Sequence, residues 1–253
     1  MKFTFLGTGT SQGVPVIACD CETCQSEDPY DKRLRTSGLL QSDQTTLVFD
    51  TGPDFREQML VHRVKTLDAV VYTHTHRDHV AGLDDVRSYN FLQKRDMPVY
   101  GTFETFKHLR KEFYYIFESV NYPGVPKLEL HEIDHQPFEI GDISLIPIPV
   151  MHGKMPVLGF RTGPFAYITD ANYIPPESLN ALEGVKTLVL NALRLTPHHS
   201  HFHLQAAIEM TEKIQPEKAY FTHISHLMGP QQNIIDLLPP HIELAHDGLT
   251  LEW

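Results

Sequence analysis

The amino-acid sequence predicts an α/β protein, on three observations. Short apolar runs rich in β-branched and aromatic residues recur along the chain between Gly and Pro turns, as strands do. They alternate with stretches at helical spacing, Phe55 to His62 and Leu204 to Ile214 among them. Several runs end directly in clustered His and Asp, at the carboxyl ends of strands where α/β sheets place their sites.

The chain has 253 residues, and one domain spanning 1–253 with a sizeable core is the expectation. Hydrophobic residues make up 41% and charged residues 21%, the balance of a folded rather than a disordered protein. No apolar run approaches the roughly 18–20 residues of a membrane span. Met1-Lys2 leads straight into a strand, which reads as no signal peptide, so a cytoplasmic protein is expected. The net charge of −11 speaks against a broad nucleic-acid face, which needs clustered Lys and Arg. It does not speak against a small anionic substrate, because bound cations reverse the local field. The three cysteines, Cys19, Cys21 and Cys24, are an odd and tightly spaced set that reads as metal ligation rather than disulfides.

Phe3 to Leu6 is the first strand, and the Gly7-Thr8-Gly9 to Gly13 stretch reads as a turn beneath a site rather than a phosphate cradle. Cys19-Asp20-Cys21-Glu22-Thr23-Cys24 can wrap one Zn²⁺, whose closed site needs a fourth ligand from elsewhere. Thr45 to Asp50 is a strand, and Asp50 at its end suits an acceptor that orients the histidine loop rather than a direct ligand. Pro53 fits the first turn of the helix that follows, with Thr51 or Gly52 near its cap. Ala69 to Tyr72 is a buried strand. It runs into His74, His76, Asp78 and His79, four groups that one tetrahedral ion cannot use without strain. Two ions about 3.5–4 Å apart use them better, His74 and His76 on one, Asp78 and His79 on the other.

Pro98 to Gly101 reads as a strand and turn, and Phe103 to Ser119 as one aromatic-rich helix that faces the core or forms a lid or dimer surface. A loop over Asn121 to Pro126 ends it. Phe138 to Ile140 and Ile143 to Val150 form a hairpin leading to His152, with Lys154 beside it as a candidate phosphate contact. Val157 to Thr162 and Phe165 to Thr169 form another, delivering Asp170, which could also cap a helix. Thr187 to Leu190 and Ala219 to Thr222 are strands, and Leu244 to Trp253 reads as a final strand pair around Asp247-Gly248. His198, His199, His201 and His203 crowd before the helix at Leu204. The two halves share a layout without a detectable repeat.

Thr73-His74-Thr75-His76-Arg77-Asp78-His79 resembles the signature of the metallo-β-lactamase superfamily, and Cys19-x-Cys21-x-x-Cys24 resembles the accessory zinc site of its PhnP-like phosphodiesterases. The resemblance implies a four-layer αββα sandwich. It implies a dinuclear site of His74, His76, Asp78, His79, His152, Asp170 and His223, with Asp170 bridging, loaded with Mn or Zn. It also implies a structural zinc on Cys19, Cys21, Cys24 and His226. Catalytic roles fall to Asp78 and to His201, which would assist the leaving oxygen, with His203 as the other choice. The implied substrate is a small phosphorylated sugar, 5-phosphoribosyl 1,2-cyclic phosphate, opened to ribose 1,5-bisphosphate by a hydroxide shared between the ions. A tRNA 3′-endonuclease and a non-catalytic metal-binding protein of the same fold are the alternatives. A homodimer is an open option.

Overall fold

In the computed structural model, which describes residues 1–118 and 124–253, two seven-stranded sheets stack on one another. The first contains β1 (Lys2–Gly7), β2 (Ser37–Gln41), β3 (Thr46–Phe49), β4 (Ala69–Val71), β5 (Met97–Gly101) and β6 (Leu128–Glu132). The second contains β7 (Phe138–Ile140), β8 (Ile143–His152), β9 (Met155–Thr162), β10 (Phe165–Ile168), β11 (Thr187–Asn191), β12 (Lys218–Thr222) and β13 (Ile242–Leu244). The last strand, β14 (Thr250–Glu252), returns to the first sheet beside β1. Each sheet runs antiparallel at one end and parallel at the other, over β3 to β6 and over β10 to β13. The halves are therefore alike in layout, as the sequence suggests.

Alternation along the strands builds the layers. In β3, Leu47 and Phe49 enter the core between the sheets, while Val48 enters the core under the first sheet's helices. In β11, Val189 faces between the sheets, and Leu188 and Leu190 face the opposite helices. Both sides of each strand are buried, so these segments read as unbroken apolar runs rather than apolar-polar alternation. Aromatic rings join the sheets: Phe3 meets Phe165 at 4.8 Å and Tyr167 at 5.3 Å, and Phe49 stacks on Phe160 at 5.4 Å. Each such ring contributes about 1.5–3 kcal/mol by burial.

The helices are α1 (Glu22–Gln25), α2 (Phe55–Val61), α3 (Arg77–Val80), α4 (Arg87–Gln93), α5 (Phe103–Glu112), α6 (Tyr114–Glu118), α7 (Pro176–Asn180), α8 (Leu204–Ile214) and α9 (Gln231–Ile234). Phe55, Met59, Tyr89, Phe106 and Leu109 cover the first sheet, and Leu204 and Ala207 cover the second. The result is the αββα sandwich. No helix among the described residues is long and apolar enough to cross a membrane.

Three expectations change. The aromatic stretch from Phe103 is two helices, because Phe113 leaves helical geometry at φ −114° and ψ 39°. Ser119 and residues 121–123 of the expected loop lie outside the described residues. The helix after Asp50 starts at Phe55 with Asp54 at its N-cap, so Pro53 precedes the first turn instead of occupying it. The carboxylate of Asp54 is engaged by Arg35 at 2.9 Å, a partner distant in sequence. The segment from Leu244 to Trp253 is not a strand pair: β13 edges the second sheet and β14 the first.

Candidate metal centre

Strand ends from both sheets converge on one edge of the sandwich. β4 runs into His74 to His79, and α3 begins there with His76 at its N-cap in extended geometry. β8 ends in His152, β10 leads to Asp170, and β12 leads to His223. Asp50 and His223, each just past a strand of its own half, both take left-handed backbone with φ of 62° and 56°. Such strain in non-glycine residues is held only where the surroundings over-determine it, commonly at sites.

The side chains fall into two groups. His74, His76, His152 and Asp170 form one, and Asp78, His79, Asp170 and His223 the other. Within each group the donor atoms all lie within 4.8 Å of one another. Asp170 belongs to both. His74 Nε2 is 3.2 Å from His76 Nδ1 and 3.8 Å from Asp170 Oδ2. His79 Nε2 is 3.3 Å from Asp78 Oδ2 and 3.4 Å from Asp170 Oδ2, and Asp170 Oδ1 is 3.1 Å from His223 Nδ1. Tetrahedral ligands at metal–donor distances near 2.1 Å stand roughly 3.4 Å from each other, so these spacings suit shared cations. His79 Nε2 is buried and makes no hydrogen bond among the described residues, as expected of a nitrogen aimed at an ion. The residues fit divalent metal ions.

Outer contacts aim the donors. Asp50 Oδ2 lies 2.7 Å from His79 Nδ1. His152 Nδ1 lies 2.6 Å from the carbonyl oxygen of Ser200, and His74 Nδ1 lies 2.9 Å from the Thr73 hydroxyl. Occupying one ring nitrogen leaves the other for a metal. Asn191, at the end of β11, clamps Ala171 by accepting from its N–H at 2.7 Å and donating to its carbonyl at 2.9 Å, which fixes the turn carrying Asp170. The Gly-rich turn does lie beneath the site: Gly9 bridges to Ile224, and Thr10 Oγ1 is 3.2 Å from His223 Nε2.

The charges bind these residues tightly. Burial opposes a charge on His79, but Asp78, Asp50 and Asp170 outweigh it and hold its pKa well above the usual value. Burial, followed by the neighbouring His79, pushes His74 well below it. Burial alone would raise Asp170, yet His223 and His79 hold its carboxyl well below the usual range. A cation on His79 Nε2 would have to displace a proton, so loading releases protons.

His201 approaches the same centre, with Nε2 3.3 Å from Asp170 Oδ2. His203 stands at the N-cap of α8, but its side chain makes no capping bond. Asp170 is no cap either, since α7 starts at Pro176. Lys154 is exposed beside Gly153.

On another flank, His226 Nδ1 lies 3.3, 3.3 and 3.6 Å from the sulfurs of Cys19, Cys21 and Cys24. A zinc with Zn–S near 2.3 Å and Zn–N near 2.0 Å places such atoms roughly 3.5 Å apart. A backbone N–H bond from Cys24 lowers the Cys21 thiol to about 6, while burial pushes Cys24 up to about 11.

The sequence assigns no role to Asn191, Thr10 or Ser200, and marks His198 only as one of four crowded histidines. Asn191 carried a readable signal, a polar residue closing a buried apolar strand. The others act through contacts that no local pattern announces.

A profile described as the Beta-lactamase superfamily domain matches residues 45–224. A solved structure described as a new diphosphatase from the PhnP family is 42% identical with a TM-score of 0.93, covering 100% of this chain and 97% of that one. The octanoyltransferase of Porphyromonas gingivalis is 38% identical over 252 residues, 98% of this chain and 51% of that protein. The ribonuclease Z of Methanococcus maripaludis is 27% identical over 168 residues, 63% of this chain and 48% of that protein. The chain thus spans about half the length of these curated relatives. With the profile match, the PhnP-family likeness over nearly both whole chains and two donor groups meeting at Asp170, the chain belongs to the metallo-β-lactamase superfamily, in its PhnP family.

Proposed function

We propose that the protein is a metal-dependent hydrolase of a small cyclic phosphodiester, with 5-phosphoribosyl 1,2-cyclic phosphate as substrate and ribose 1,5-bisphosphate as product. The observation that carries this reading is the meeting of both donor groups at Asp170, with His201 Nε2 at 3.3 Å. Divalent cations, manganese or zinc, would supply Lewis acidity and a nucleophile from water at neutral pH. His74, His76 and His152 would hold one and Asp78, His79 and His223 the other, with Asp170 setting their spacing. His201 would place a proton at the departing sugar oxygen, work suited to imidazole near neutrality. Asp78 stands among the reacting groups as a ligand, and Lys154 is the candidate contact for a substrate phosphate. The Cys19, Cys21, Cys24 and His226 cluster would hold a structural zinc, and its thiol ligands suit the reducing cytoplasm.

Similarity to a ribonuclease Z supports a second reading, cleavage at tRNA 3′ ends. The net charge of −11 disfavours it, because phosphate-backbone binding needs positive charge. The octanoyltransferase name belongs to a protein about twice the aligned length. Acyl transfer through a thiol would need a cysteine nucleophile, and the cysteines here cluster with His226 rather than at Asp170. The test is turnover by Mn²⁺- or Zn²⁺-loaded protein of the cyclic ester, bis(p-nitrophenyl) phosphate and a precursor tRNA. Cleavage of the tRNA alone would favour the second reading. No turnover of any of the three would favour a binding protein.

A further inference from the structure

The segment between β11 and α8 carries four histidines, of which the reaction above uses one. His198 is half-buried and lies against His201, outside both donor groups. The two Nδ1 atoms are 3.1 Å apart. Ring nitrogens at that distance attract only if one carries a hydrogen and the other a lone pair. The backbone decides which. The N–H of Ser200 donates to His198 Nδ1 at 3.4 Å, so His198 Nδ1 is an acceptor. The Ser200 hydroxyl, 3.3 Å from His198 Nδ1 and 3.1 Å from His201 Nδ1, can bridge them in the same sense. The hydrogen between the rings therefore belongs to His201 Nδ1, and Nε2 faces Asp170. The His201 ring also stacks on His223 at 5.0 Å and meets His152 edge-on at 4.4 Å, which limits its rotation. Burial and the adjacent His201 hold His198 down to about 4, so it stands neutral at pH 7.

We infer that His198 is a positioning residue for leaving-group protonation, accepting the Nδ1 hydrogen of His201 so that Nε2 is committed to the substrate. The inference rests on the phosphodiesterase reading. In the step concerned, His201 starts with a hydrogen on each ring nitrogen, and water supplies the oxygen newly bound to phosphorus, keeping one hydrogen and releasing the other to solvent. The bond from phosphorus to the leaving sugar oxygen breaks, its electron pair stays on that oxygen, and the oxygen takes the proton from His201 Nε2. His201 is left neutral with its remaining hydrogen on Nδ1, still donated to His198. A carboxylate often stands behind a catalytic histidine. A neutral imidazole gives the same orientation without adding a negative charge beside Asp170.

The test compares leaving groups, because p-nitrophenolate departs without a proton and a sugar alkoxide does not. His198→Ala is expected to lower kcat on 5-phosphoribosyl 1,2-cyclic phosphate by about 10²-fold, the order a positioned acid contributes, with a much smaller loss on bis(p-nitrophenyl) phosphate. His198→Asn, whose side-chain oxygen can accept in place of Nδ1, should recover most of the loss. Independently of activity, ¹⁵N–¹H spectra of metal-free wild type should show a hydrogen on His201 Nδ1 held in the bond to His198, and His198→Ala should lose that signal or shift it upfield. Equal losses on both esters, or a wild-type His201 without a hydrogen on Nδ1, overturn the inference. If wild type cleaves neither ester, the phosphodiesterase reading fails instead, and the spectra still decide where the hydrogen sits.

Discussion

Asp50 Oδ2 lies 2.7 Å from His79 Nδ1, while Asp50 Oδ1 accepts the N–H of Thr73 at 2.9 Å. One carboxylate thus orients both ends of the histidine-rich stretch: the backbone where it leaves β4 and the ring where it enters α3.

Asp50→Asn keeps the shape of that side chain and removes its charge. Metal binding is expected to weaken by about 10–100-fold, the usual cost of losing a partner behind a ligand. Competition with a chromophoric chelator measures it. Undiminished affinity would show that the strand end, and not the carboxylate, aims His79.

Asp170→Ala should empty both halves of the centre, because among the described residues Asp170 alone belongs to both donor groups. Elemental analysis is expected to find about one ion per chain, held by the cysteine cluster, and hydrolysis should fall to background. Retention of the full metal content would contradict the bridging role.

Cys24→Ser tests the other cluster. Cys24 is buried, and its sulfur is 3.6 Å from His226 Nδ1. Zinc loss there should lower Tm, at about 2–4 °C per kcal/mol for a chain of this size, with kcat at 25 °C little affected. A large loss of kcat without a fall in Tm would place this cluster in the chemistry.

At Gly52 a side chain has no room. An added Cβ would lie 2.2 Å from the carbonyl oxygen of Asp78. Gly52→Ala should therefore push the candidate ligand turn outward, costing about 1–3 kcal/mol of stability and weakening metal binding together. Denaturant unfolding and chelator competition read the two effects separately.

Asp247 supplies a pH dependence away from the metal residues. It accepts from Leu34 N–H and the Thr8 hydroxyl, both at 2.7 Å, near the buried Arg33. Burial pushes its pKa from 3.8 up to about 6. A raised folded pKa means the folded state binds the proton more tightly than the unfolded chain. This contribution is complete below about 4 and lost as pH rises through about 6. Relative to Asp247→Asn, wild type should lose up to about 3 kcal/mol across that window, at 1.36 kcal/mol per unit. Unfolding free energies measured at pH values across the window check the slope.

Much of the fold and candidate centre is legible in local sequence. β4 and the ligand run after it are contiguous, so their spacing carries their geometry. The same is true of Cys19, Cys21 and Cys24, and of α8, whose bounds Leu204–Ile214 match the helical pattern. β2 and β6 are illegible because Ser37–Gln41 holds only two large apolar residues and Leu128–Glu132 is mostly polar with no residue buried, so neither stands out as a strand.

By itself, the sequence determined which residue types stand at which strand ends, because ligand spacing along a few residues is a local property of the backbone. Only the tertiary structure decided that β13 and β14 part into different sheets, that Asp170 joins two groups, and that Ser200 presents its carbonyl to His152 and its N–H to His198. Those outcomes depend on packing between residues far apart in the chain, where burial and the pairing of polar groups choose among arrangements that local sequence leaves equal.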